Sequence, residues 1–188
     1  GLAMRWIIPP RRNTIAIKHE TFEFRFAKAS SETRLIAPTV DCQGVAPDCW
    51  HDAYEHIYAD RFISEWTAGQ ILQLPAIVNT AQAWMALGEA EVFDYPGSWL
   101  KTTADGILQL AAPPAPKRLG PMAFFDWAFE AVFERHNYLA SYAESTDPIP
   151  LPWRFIQIGN SLRDIVGRDW PARLADESLA LAQARDFT

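Results

Sequence analysis

Between Pro121 and Ser145 the chain reads PMAFFDWAFEAVFERHNYLASYAES, and a helical projection at about 100° per residue sorts its side chains by polarity. Asp126, Glu130, Glu134, Asn137 and Ser141 fall into one narrow stripe, while Phe124, Phe125, Trp127, Ala128, Phe129, Val132, Leu139 and Tyr142 cover most of the rest. Such a pattern predicts a helix enclosed on most sides by its neighbours. Pro121, behind Gly120, suits the first helical position, where a missing N–H loses no bond. Arg135 interrupts the apolar arc opposite the acidic stripe: either the helix is leaving the core there, or the guanidinium is buried beside a group that compensates it.

The N-terminal quarter alternates instead. Ile15 and Ile17 share one parity, Phe22, Phe24 and Phe26 share the other, and the switch places a turn near His19 and Glu20. Ser30 and Ser31 mark a second turn, and Thr33 to Val40 reads as a third strand. The expected unit is an antiparallel meander of about three strands, too small to stand alone.

Further on, Asp48 caps a predicted helix to about Trp66 whose wet side is Asp52, His56, Asp60 and Ser64. Ile77, Val78, Ala81, Trp84 and Met85 predict another helix from about Pro75 to Gly88. Asp105-Gly106 between Trp99–Thr103 and Ile107–Leu110 predicts a hairpin. Residues 111 to 121, AAPPAPKRLGP, have the composition of a stiff connector, and Pro148, Pro150 and Pro152 enforce an extended path. Trp153 to Ile158 fits strand or helix. Ser161 to Val166 and Pro171 to Ala184 predict two last helices. The expected architecture is α+β in a single domain over residues 1–188: a small N-terminal antiparallel sheet packed by about five helices around the 121–145 helix.

Composition fits one well-packed domain, with 49% hydrophobic and 13% aromatic residues in 188. The formal net charge of −6 is unevenly spread: residues 1–40 hold seven basic and three acidic side chains, leaving the excess acid to the remainder. A nucleic-acid footprint asks for a more basic chain. No window is apolar enough for a membrane-spanning helix and no signal pattern opens the chain, so a soluble, cytoplasmic protein is expected. Gly1, Leu2 and Ala3 read as a remnant ahead of a natural start at Met4.

Candidate chemistry is sparse. Cys42, Cys49 and His51 are weak zinc candidates, because His51 and His56 stand five positions apart, about 140° around a helix, instead of sharing a face. His51 and Glu55, at i,i+4, form a better pair for a general base and its orienting group. Arg135 and His136, on the last turns of the central helix, would complete a pocket with them if the two helices met. Trp6, Arg11 and Arg12, within WIIPPRR, have the residue types of a binding hot spot.

GxGxxG, a Walker loop, HExxH, GxSxG, CxxC and an EF-hand loop are all missing, and no cofactor is expected. By elimination, the expectation is a non-catalytic macromolecule-binding protein, of the adaptor, assembly-factor or immunity-protein kind, with an acidic body, a basic aromatic N-terminal region and a protein partner. The competing expectation is an enzyme or small-ligand binder using His51, Glu55, Arg135 and His136.

Overall fold

The computed structural model describes residues 1–26, 31–39, 56–119, 132–166 and 174. Over those residues the chain is built of strands. A six-stranded antiparallel sheet runs in the order β1 (Leu2–Met4), β16 (Trp153–Gly159), β9 (Trp84–Ala90), β8 (Ala76–Asn79), β5 (Arg34–Pro38), β6 (Tyr58–Phe62). A four-stranded sheet has the order β4 (Glu23–Phe24), β11 (Leu108–Ala111), β10 (Trp99–Thr102), β7 (Ile71–Leu72). Three two-stranded ribbons complete the set: β12 (Pro116–Leu119) with β13 (Val132–Arg135), β14 (Ala140–Tyr142) with β3 (Ile15–Ile17), and β15 (Ile149–Pro150) with β2 (Ile7–Ile8). The described α-helix, α1, spans Leu162–Val166.

The two larger sheets bury their facing sides against each other. Leu35, Ala37, Ala76, Val78 and Leu87 of the six-stranded sheet meet Phe24, Leu72, Leu100, Leu108 and Leu110 of the four-stranded one. Leu35, Leu72, Leu87, Leu100 and Leu108 are fully enclosed, and each such side chain contributes roughly 1.5–3 kcal/mol by leaving water. A smaller core of Tyr95, Leu139, Ala140 and Leu151, flanked by Ile8, Ile17 and Tyr142, joins the β14–β3 and β15–β2 ribbons. On the outer side of the six-stranded sheet, α1 places Ile165 against β16, and Phe155 lies over Gly88. A Cβ at Gly88 would stand 2.5 Å from Phe155 Cζ, so only glycine admits that ring.

This architecture overturns the α+β expectation of about five helices. The strands foreseen near the N-terminus exist, but they do not form a meander. Ile15–Ile17 pairs with β14, Glu23–Phe24 with β11, and Arg34–Pro38 with β6 and β8. The helix expected over 75–88 is the β8–β9 hairpin. Its apparent helical spacing has a plain cause: the hairpin register makes Val78 and Met85 partners, and seven residues is also two helical turns. Asn79 Oδ1 accepts from Ala81 N at 2.8 Å, and Ala81 takes the left-handed conformation that closes the turn.

The helix expected to Trp66 is, where described, the edge strand β6 followed by the 3-10 turn Ile63–Glu65. Residues 121–131, the first half of the predicted central rod, lie outside the described residues. The second half is β13 and β14, whose β-branched and aromatic residues suit a pleated surface. The 99–110 hairpin is present as β10–β11, with Gly106 in the left-handed region, and Trp153–Ile158 resolves as strand. The 161–166 helix is α1. The helix expected over 171–184 lies outside the described residues apart from Leu174. Among the described residues no helix is long and apolar enough to cross a membrane.

Candidate functional site

On β9 and β16 the inward-facing rows are Met85, Leu87, Glu89 and Ile158, Ile156, Arg154. Met85, Leu87 and Ile156 extend the apolar core, while Ile158 is half exposed. The last pair puts a glutamate against an arginine, where the large core gives way to the small one. Arg154 is 3% exposed, and its Nη1 donates to Glu89 Oε2 at 2.7 Å while Nη2 donates to Glu20 Oε2 at 2.9 Å. The hydroxyl of Tyr95 donates to the same Glu20 oxygen at 3.0 Å, and Glu89 Oε1 accepts from Ser98 N at 2.7 Å. A guanidinium this deep would be very costly without such partners. Burial raises the Glu89 carboxyl above the usual carboxylate range even though Arg154 opposes the shift. Burial, then the charge of Glu20, pushes the Tyr95 hydroxyl well above an ordinary tyrosine.

The network fixes the 91–98 loop. Glu91 is bound by Arg5 at 2.6 Å, and Arg5 itself lies 4.4 Å from the Trp153 ring centroid. Tyr142 OH donates to Asp94 O at 3.1 Å. Glu91 and Asp94 both hold left-handed backbone, with φ of 54° and 52°. For non-glycine residues that conformation costs about 1–2 kcal/mol each, and the four anchors hold it in place.

Beside this loop is a groove of about 560 Å³, walled by residues 94–96, 113–116, Arg135 and 139–143. Four prolines and two tyrosines give it a stiff apolar lining, which orders a ligand with little loss of side-chain freedom. Arg135 Nη1 donates to Pro114 O at 2.7 Å, and burial lowers the Arg135 guanidinium below its ordinary range. Asp94 is the carboxylate among the lining residues.

Of the residues foreseen as sites, Arg135 stands in this groove. His136 does not point with it: its backbone N–H donates to Ala115 O at 2.8 Å and its ring stacks on Tyr138 with centroids 4.4 Å apart. His51, Glu55, Cys42 and Cys49 lie outside the described residues. Among the described residues no cluster of three or more His, Cys, Asp or Glu side chains is placed to hold a metal. Trp6 is half exposed, and its carbonyl accepts from Leu151 N at 2.9 Å. Arg11 and Arg12 border a separate cavity.

Glu20, Glu89, Tyr95, Tyr142 and Arg154 went unforeseen. A signal existed in WRFIQIG and WMALGEA, each an apolar run with one charge. Read as strands, both put that charge on the inward parity, where it requires a partner.

A family model described as Glycosyl-hydrolase 97 N-terminal matches residues 1–176. Among solved structures, the fold resembles a glycoside hydrolase family 97 enzyme from Pseudoalteromonas sp. strain K8 in complex with acarbose, with a TM-score of 0.67 and 20% identity. A glutamate-to-glutamine variant of a family 97 enzyme from that strain, in complex with panose, gives the same TM-score and identity, and an arginine-to-lysine variant gives 0.65 and 21%. Each alignment covers 93% of this chain and 22% of the other, so the chain spans about a fifth of the length of the solved chains it resembles. A search of curated proteins finds no match. The family match overturns the expectation of a non-catalytic adaptor with an acidic body and basic N-terminal region. That expectation rested on missing motifs, and a missing motif does not by itself point to a binding role. The chain belongs to the glycosyl-hydrolase 97 N-terminal family.

Proposed function

We propose that this chain is the N-terminal β-domain of a glycoside hydrolase and holds part of an oligosaccharide in the groove beside Tyr95. The family match over residues 1–176 carries the reading. Its support is the shared fold with an enzyme seen bound to acarbose and, as a variant, to panose. Glycoside hydrolysis takes two carboxyl groups facing each other across the bond, about 5–9.5 Å apart. The groove lining offers one, Asp94, so in this reading the groove binds sugar and leaves cleavage to other residues. The pocket expected from His51, Glu55, Arg135 and His136 becomes, in this proposal, a groove with Arg135 in its wall.

The test is amide-proton NMR of the 188-residue chain titrated with panose and with acarbose. Perturbations should cluster at Tyr95, Arg135 and Tyr142, and Tyr142→Ala should weaken them by roughly tenfold through loss of a ring face. Neither sugar perturbing the groove at about 10 mM, well above the ~1 mM Kd of a binding energy near 4 kcal/mol, would overturn the reading.

A further inference from the structure

Most polar side chains of the groove lining spend a donor inside the protein. Tyr95 OH donates to Glu20 Oε2 at 3.0 Å, Tyr142 OH to Asp94 O at 3.1 Å, Ser141 Oγ to Ile15 O at 3.3 Å and Arg135 Nη1 to Pro114 O at 2.7 Å. Asp94 is the exception. Its side chain is exposed and, among the described residues, its carboxylate accepts no hydrogen bond and joins no ion pair. The carboxylate faces Tyr142: burial first, and then the negative charge of Asp94, raise the Tyr142 hydroxyl above an ordinary tyrosine.

The backbone that carries this carboxylate is strained and held. Asp94 sits at φ 52°, with its carbonyl gripped by Tyr142 OH. The next residue, Tyr95, is anchored through its hydroxyl to Glu20, which Arg154 Nη2 holds in turn at 2.9 Å. Non-glycine residues kept in left-handed backbone by their surroundings concentrate at ligand clamps. Glu91 shares the conformation, but Arg5 Nη1 occupies its carboxylate at 2.6 Å. Asp94 therefore presents a fixed carboxylate whose oxygens are open to a ligand. An ionised carboxylate only accepts, and its two oxygens take two donors side by side. Neighbouring hydroxyls on a sugar ring supply that pair, and hydrogen bonds to a charged acceptor are about twice as strong as neutral ones.

We propose that Asp94 is the specificity-determining residue of the groove, its carboxylate accepting from two adjacent hydroxyls of a sugar unit that lies along Pro96 and Tyr142. This inference rests on the groove reading above and names the residue that would orient the sugar there.

The test is titration of the 188-residue chain with panose, followed by amide-proton NMR, in the wild type and two variants. Asp94→Gly removes the carboxylate and suits φ 52°, while the Tyr142 contact to the backbone carbonyl is kept. Asp94→Asn also tolerates left-handed backbone and keeps one acceptor oxygen without the charge. Unchanged Tyr95 and Ser98 amide signals in the free variants show that the loop has not moved. Asp94→Gly should weaken panose binding by tenfold or more, as loss of a charge-assisted contact predicts, and Asp94→Asn should fall between it and the wild type. Wild-type affinity in Asp94→Gly overturns the assignment, and wild-type affinity in Asp94→Asn overturns the two-hydroxyl contact. Panose shifting the groove amides equally in wild type and Asp94→Gly sinks the role of Asp94 alone. No response in the wild type sinks the groove reading, and the role of Asp94 with it.

Discussion

Phe155 and Gly88 show how one missing methyl group sets a packing relation. The ring of a residue 5% exposed rests where a Cβ would be 2.5 Å from its tip, so the pair fits only as ring and glycine. Gly88→Ala should lower stability by about 1–3 kcal/mol, the usual scale of overpacking. Urea denaturation measures the loss, and Phe155→Leu in the Gly88→Ala background should recover part of it; additive losses would remove the steric account. Arg154 obeys a different physics. Its two carboxylate partners are themselves largely buried, so Arg154→Met leaves Glu20 and Glu89 facing each other without a cation. Breaking a buried pair in this way costs about 3–5 kcal/mol. The pH sign follows from the carboxyls. A carboxyl whose folded pKa is raised above its unfolded value adds stability that is complete below the unfolded value and is lost as pH rises through the folded one. Burial already raises Glu89 in the wild type, and removing Arg154 takes away what opposes it. Arg154→Met should therefore regain stability as the pH is lowered toward 5, read by thermal unfolding between pH 5 and 8. A variant that loses stability on acidification contradicts this.

The hairpin between β10 and β11 was legible because everything it needs is local. Asp105-Gly106 supplies the turn, Gly106 sits at φ 70°, and Thr103 N donates to Ile107 O at 3.0 Å. Gly106→Ala should cost about 1 kcal/mol, since an L side chain must then adopt left-handed backbone; an unchanged midpoint in urea would show that the turn relaxes. The β8–β9 hairpin misled for a physical reason, not for want of pattern. Partners across this hairpin recur at odd separations, and the seven between Val78 and Met85 coincides with helical periodicity. In β14 the same ambiguity arose from Tyr142, which fits a helix face in projection and a pleated strand in fact. Edge strands are also read poorly in isolation. Tyr58–Phe62 carries Asp60 and Arg61, which look like the wet side of a helix but are the charges that keep an exposed sheet edge from pairing with another chain.

Across the whole molecule, pairing joins the two ends of the described chain. Leu2 lies opposite Ile156, Ile15 opposite Tyr142, and Ile8 opposite Ile149. Loops of such length must close before any of these contacts forms, so the chain should refold on the millisecond-to-second scale typical of β-sandwiches, measured by stopped-flow tryptophan fluorescence. Single-exponential refolding in tens of microseconds would be inconsistent with this topology. The same long-range pairing explains what was hidden at the site. Glu20, Glu89 and Arg154 sit in three separate runs, and the groove needs segments 94–96, 113–116 and 139–143 brought together. Local patterning by itself determined that residues 15–17, 23–24 and 34–38 are extended and that 99–110 turns back on itself. Tertiary structure alone decided which strands pair, that helix-like spacing in 75–88 and 132–142 is strand, and that a buried arginine and two carboxylates stand behind a groove. The reason is that backbone preference is set within a few residues, whereas sheet register and the neutralisation of buried charge depend on partners more than a hundred positions away.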